Sequence, residues 1–172
     1  MKQKKTWNKI AYTTNFQNFL RFYLFETPVE ETSCRGKTFK EIGWHGSSQF
    51  KMLERLLREA SSIDEKFWVF VDIDEIQNLS FVNRTDIQYV ASSKDKGKVR
   101  SMIYAIRNAF AHGSFSQMDN GWYLFENTYH GRLKARMVLS EDTLLSWEKI
   151  IKTKPEYFTR SRKAKRAGNN AA

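Results

Sequence analysis

Cysteine is almost missing from this chain. Cys34 stands alone, so an intramolecular disulfide and a cysteine-built zinc site are both excluded, and a reducing, cytoplasmic setting is expected. Long apolar runs are missing too. The longest, such as Trp68-Val69-Phe70-Val71, are far too short to span a bilayer, and no apolar signal core follows the basic start Met1-Lys2-Gln3-Lys4-Lys5. Membrane insertion is therefore not expected, which leaves peripheral binding as the only membrane role. Proline occurs twice, at Pro28 and Pro155, and marks the ends of helical segments. There is no glycine-rich phosphate loop and no internal repeat. Histidine occurs three times, so each copy invites a chemical reading.

Aromatic residues, at 15%, are plentiful for so polar a chain, and they supply the bulk for one sizeable core in 172 residues. The net charge of +10 and a pI near 9.7 favour a polyanionic partner. That charge is uneven. Eight Lys/Arg against the single acid Glu156 lie between Lys149 and Ala172, so the remainder carries only +3. The division expected is a folded domain over residues 1–157 and a basic, flexible tail over 158–172.

Hydrophobic spacing predicts a mainly α protein. Thr6 is positioned to cap a first helix running to about Glu26, with Phe16, Phe19, Leu20 and Tyr23 on one face. Ser47 or Ser48 opens a second helix carrying Phe50, Leu53, Leu57 and Ala60. Residues 66–83 read as strand in their first half, and in their second half Ile73, Ile76 and Leu79 fit a helix. After a polar turn at Gly97, Val99, Met102, Ile103, Ile106 and Phe110 draw a narrow stripe along a helix that Gly113 ends. A β-hairpin follows: Trp122–Glu126, a turn at His130-Gly131, then Arg132–Leu139. In its second strand Leu133, Ala135, Met137 and Leu139 alternate with Arg132, Lys134 and Arg136. Ser140 caps a last helix that has Glu141 and Asp142 at its start and Lys149 and Lys152 near its end.

The sharpest chemical signal is Arg107-Asn108-Ala109-Phe110-Ala111-His112 at the end of the striped helix. At about 100° per residue, Arg107 and His112 lie some 140° apart around the axis, whereas Asn108 and His112 share a face. All three lie off the apolar stripe. The segment Ile106–Phe115, the hairpin and Leu144-Leu145-Ser146-Trp147 together resemble the plasmid- and phage-associated branch of the HEPN superfamily of RNA-cleaving domains. The likeness is close over residues 97–152 and limited to helical pattern over residues 6–60.

The resemblance implies a HEPN-like helical bundle with the β-hairpin appended between the motif helix and the last helix. It also implies a homodimer that joins two Arg–Asn–His sets in one cleft. Arg107 would fork onto the scissile phosphate, and His112 would exchange protons with the 2′-hydroxyl or the leaving 5′-oxygen. Asn108 would orient His112 or the phosphate. The nucleophile is then the RNA's own 2′-hydroxyl, so neither metal nor other cofactor is expected and the products carry 2′,3′-cyclic phosphates. An antitoxin or regulatory protein is a further partner of such toxin–antitoxin or phage-defence enzymes. HEPN toxins controlled by a nucleotidyltransferase carry a Tyr two residues after the His. Ser114 stands there, so that mode of control is not implied.

The residues alone also admit a plain structural role, in which Arg107 pairs with an acid and His112 caps the helix. Arg132, Lys134 and Arg136 read equally well as an RNA-tracking stripe and as a solvated face. Arg160, Arg162, Lys163, Lys165 and Arg166 suit any polyanion. His45, His130 and the acids Asp72, Asp74 and Glu75 read as structural or solvated. Three function classes follow: an endoribonuclease, a non-catalytic RNA-binding scaffold, and a DNA-binding regulator recruited by the tail. Removing residues 160–172 is expected to weaken RNA binding and to flatten its salt slope by up to about five, one unit per lost cation. Folding should not change, as a thermal melt would show.

Overall fold

The computed structural model describes residues 13–28, 37–61, 68–71, 74–78, 88–91, 97–118 and 121–159. Its centre is a five-stranded mixed sheet, and this overturns the mainly α bundle with an appended hairpin. The strands are β1 (Trp68–Val71), β2 (Gln88–Ala91), β3 (Phe115–Gln117), β4 (Trp122–Tyr129) and β5 (Arg132–Ser140), in the spatial order β1-β2-β5-β4-β3. β1 and β2 run parallel, from Trp68 opposite Gln88 to Val71 opposite Ala91. β2 then pairs antiparallel with β5 at Tyr89–Arg136 and Val90–Ala135. The hairpin is therefore the middle of a sheet, with β2 on one side and β3 on the other. β1 is a continuous apolar run in the half of residues 66–83 that reads as strand, whereas β2 was not expected.

Helix α3 (Lys98–Ala111) lies between this sheet and a layer made of α1 (Thr14–Arg21), a π-helical turn (Phe22–Glu26), α2 (Gly46–Glu59) and α4 (Glu141–Lys152). Its position explains its sequence. The expected stripe is buried, and so is a second stripe of small residues, Ser101, Ala105 and Ala109, at four-residue spacing. Together they make a buried arc about 200° wide at 100° per residue. Tyr123, Phe125, Ala135, Met137 and Leu139 complete the core from β4 and β5. On β5 the intervening Arg136 and Val138 are also buried, and the short 3-10 turn Glu75–Asn78 packs against β5 and β2 with Ile76 buried. The charged side of the hairpin is thus partly covered.

The helix starts shift slightly from expectation. α1 begins after Thr13, whose hydroxyl accepts from Phe16 N at 3.1 Å; Thr6 lies outside the described residues. α2 starts at Gly46, ahead of both serines. Ser140 caps α4 through Thr143 N at 3.1 Å, and the turn holds His130 and Gly131 at φ 48° and 74°. Gly43, at φ 94°, admits Pro155; a Cβ there would sit 3.1 Å from the proline ring. The turn at 155–159 carries Phe158 back onto the core near Trp44.

Three buried aromatic donors lock the helical layer. Tyr23 Oη donates to the Leu144 carbonyl at 2.9 Å, Trp44 Nε1 to that of Ile151 at 3.1 Å, and Trp147 Nε1 to that of Leu57 at 2.8 Å. Burial holds the Tyr23 phenol protonated well above its ordinary range. At the surface, Lys152 bridges Glu26 at 3.0 Å and Glu148 at 2.6 Å, and its hydrogen bond draws the Glu26 carboxyl below its usual pKa.

Tyr23→Phe should cost about 1–3 kcal/mol, since it leaves a buried carbonyl unpaired. The thermal midpoint should fall by about 2–4 °C per kcal/mol for a chain of this size. An unchanged midpoint would show that the carbonyl finds another donor.

Candidate active site

The end of α3 is built by a helix-stop motif and an aromatic anchor. Ser114 N donates to Ala109 O at 2.7 Å and Gly113 N to Phe110 O at 3.3 Å, with Gly113 at φ 63°. This double closure is the Schellman arrangement, in which glycine supplies the left-handed residue. It makes His112 the helix cap and turns the chain into β3, where Ser114 O accepts from Glu126 N at 2.9 Å. One turn below, the Phe110 ring meets Phe115 at 4.8 Å and Phe125 at 5.1 Å, with Phe19 and Tyr23 just above 6 Å.

On this anchored end, Arg107 and Asn108 are half-buried and His112 is exposed. Arg107 Nη1 lies 3.5 Å from Asn108 Oδ1, a contact too long to fix the guanidinium. His112 meets Asn108 through the backbone, its N–H donating to Asn108 O at 2.9 Å. The imidazole makes no side-chain hydrogen bond among the described residues, so the Asn108 side chain does not orient the ring within one chain. Within one chain the geometry supplies a phosphate-sized cationic fork and, beyond it, an exposed proton-exchanging group.

A polar network braces the adjoining strands. Asn15 Nδ2 donates to Glu141 at 2.7 Å, Tyr123 Oη donates to the same carboxylate at 3.3 Å, and Gln117 Nε2 donates to Tyr123 Oη at 3.2 Å. Burial, reinforced by the charge of Glu141, pushes the Tyr123 phenol up to about 12. Tyr123 is thus a fixed donor near neutral pH and no candidate base.

The hairpin cations do not form a continuous stripe. Arg132 is held by Asp74 at 2.5 Å, and Arg136 is 7% exposed beside Glu126 at 3.2 Å. Lys134 lies over the Tyr129 ring at 4.2 Å. Asp72 and the five tail cations Arg160, Arg162, Lys163, Lys165 and Arg166 fall outside the described residues. Glu75 is exposed, and Asp74 serves Arg132. His45 Nδ1 sits 3.1 Å from Gly43 O, a local loop contact. Among the described residues no cluster of three His, Cys, Asp or Glu could hold a metal ion, and no helix is long and apolar enough to cross a membrane.

The structure adds residues that the sequence reading passed over. Arg100, Tyr104 and Arg107 follow at four and three residues along the outer flank of α3, all half-buried, with the Arg100 guanidinium 4.3 Å over Phe50. Their helical spacing was the available signal. Comparison with protein-family models, curated proteins and solved structures yields no match.

If Arg136 is a packed residue, Arg136→Ala should lower the thermal midpoint, whereas Lys134→Ala should leave it within about 2 °C, as for an ordinary surface change. Equal behaviour of the two variants would restore the stripe.

Proposed function

We propose that this chain is a metal-independent endoribonuclease of the toxin or phage-defence kind, acting in the cytoplasm on RNA. The observation that carries the reading is the placement of Arg107 and His112 around one anchored helix end. The guanidinium is half-buried beside Asn108, and the imidazole stands exposed at the cap. The resemblance to the HEPN superfamily then rests on this helix and its cap, not on the architecture as a whole.

In the proposed reaction the 2′-oxygen attacks the adjacent phosphorus as its proton leaves, and the bond from phosphorus to the 5′-oxygen breaks. One product carries a 2′,3′-cyclic phosphate and the other a 5′-hydroxyl. Arg107 binds the phosphate oxygens through the charge that develops in the transition state. His112 supplies or removes the proton. One acid–base group per chain serves only one of the two proton transfers well. Two copies would place a pair of sets in one cleft.

The test incubates the purified chain with total RNA in EDTA, alongside His112→Ala and Arg107→Ala. Wild type should cut, and each variant should be slower by about 10²-fold or more. All three should weigh in as dimers of about twice 20.3 kDa. An all-deoxy substrate should resist. Cleavage that needs added metal, or an undiminished His112→Ala, would defeat the mechanism. Binding without any cleavage would favour the RNA-binding scaffold instead.

A further inference from the structure

The tip of the β4–β5 hairpin has features that its fold does not require. Tyr129 is 58% exposed although it is a large aromatic side chain. The neighbouring His130 packs against it at 4.0 Å between ring centroids, edge to face. His130 itself sits at φ 48°, followed by Gly131 at φ 74°. Positive φ at both positions makes a tight two-residue turn, which holds the imidazole at the tip beside Tyr129.

The position of Lys134 has a distinct cause. Asn127 pairs with Ala135, but Thr128 pairs with Leu133, which leaves Lys134 as the extra residue of a β-bulge. A bulge re-aims the side chain it carries. Here the ammonium lies 4.2 Å over the Tyr129 ring, with no carboxylate paired to it among the described residues. Arg132, by contrast, is paired with Asp74.

We infer that Tyr129, His130 and Lys134 form a stacking platform for an unpaired base of single-stranded RNA, with Lys134 meeting the adjoining phosphate. An exposed aromatic ring beside a cation is the arrangement by which single strands are held without sequence preference. The inference rests on the ribonuclease reading for its choice of RNA. It deepens that reading by naming where the strand is gripped away from Arg107 and His112.

The test follows binding of a fluorescein-labelled 2′-O-methyl oligouridylate to the full chain by anisotropy. EDTA is present, and the salt is high enough to suppress the contribution of the basic tail. Tyr129→Ala should weaken binding about tenfold or more, while Tyr129→Trp keeps wild-type affinity. Lys134→Ala should also weaken it and reduce the salt slope by about 0.7. A matched duplex should be bound equally by wild type and Tyr129→Ala. Unaltered single-strand binding by Tyr129→Ala would overturn the inference, as would a loss in Tyr129→Trp as large as in the alanine variant. A 2′-O-methyl strand cannot cleave itself, so the two readings fail separately. Tyr129-dependent binding without cleavage of natural RNA removes the ribonuclease alone. Cleavage with Tyr129-independent binding removes the platform alone.

Discussion

Phe110 is the point at which the two layers of the molecule are tied together. Its ring touches Phe115 and Phe125 from the sheet and approaches Phe19 and Tyr23 from the helical layer. Aromatic side chains bury large areas and pack at definite angles, so a cluster of this kind fixes orientation as well as depth. Everything at the end of α3 inherits that precision. Arg107 lies three residues before the ring and His112 two residues after it, and the backbone closure through Ala109 and Phe110 leaves little play between them. Both side chains are therefore carried on a backbone end that the core holds from below.

The sequence was most legible where local chemistry decides the outcome. Gly113 announces the end of α3, Ser140 the start of α4, and His130-Gly131 the hairpin turn, because each depends on neighbours within a few residues. It was least legible where distant strands decide. Gln88–Ala91 is only four residues long, and its pairing with β1 on one side and β5 on the other joins the strand read at 68–71 to the hairpin. The clean alternation along Arg132–Leu139 was misleading for the same reason. The 3-10 turn packs on β5 where alternation assigned a face to water, Arg136 is buried, and a bulge against β4 displaces Lys134. At the candidate site, Arg107, Asn108 and His112 could be picked out from spacing. Spacing placed Asn108 and His112 on one face, and within one chain their contact is through the backbone alone.

The charge of the molecule divides along the same line. Within the folded body its cations are largely engaged: Arg21 and Lys152 with Glu26, Arg132 with Asp74, and Arg136 with Glu126. The body is close to electrically balanced, and most of the excess positive charge belongs to residues after Lys149.

The buried bonds from Tyr23 to Leu144 and from Trp44 to Ile151 span 121 and 107 positions. A ribosome delivers the donors first and the acceptors last. At about 5–20 residues per second the interval for Tyr23 is roughly 6–25 s. Throughout it, the leading segment carries exposed rings and orphaned donors, with α4 still to be made. The bonds that tie this layer to α4 can therefore close only after Leu144 and Ile151 have been made.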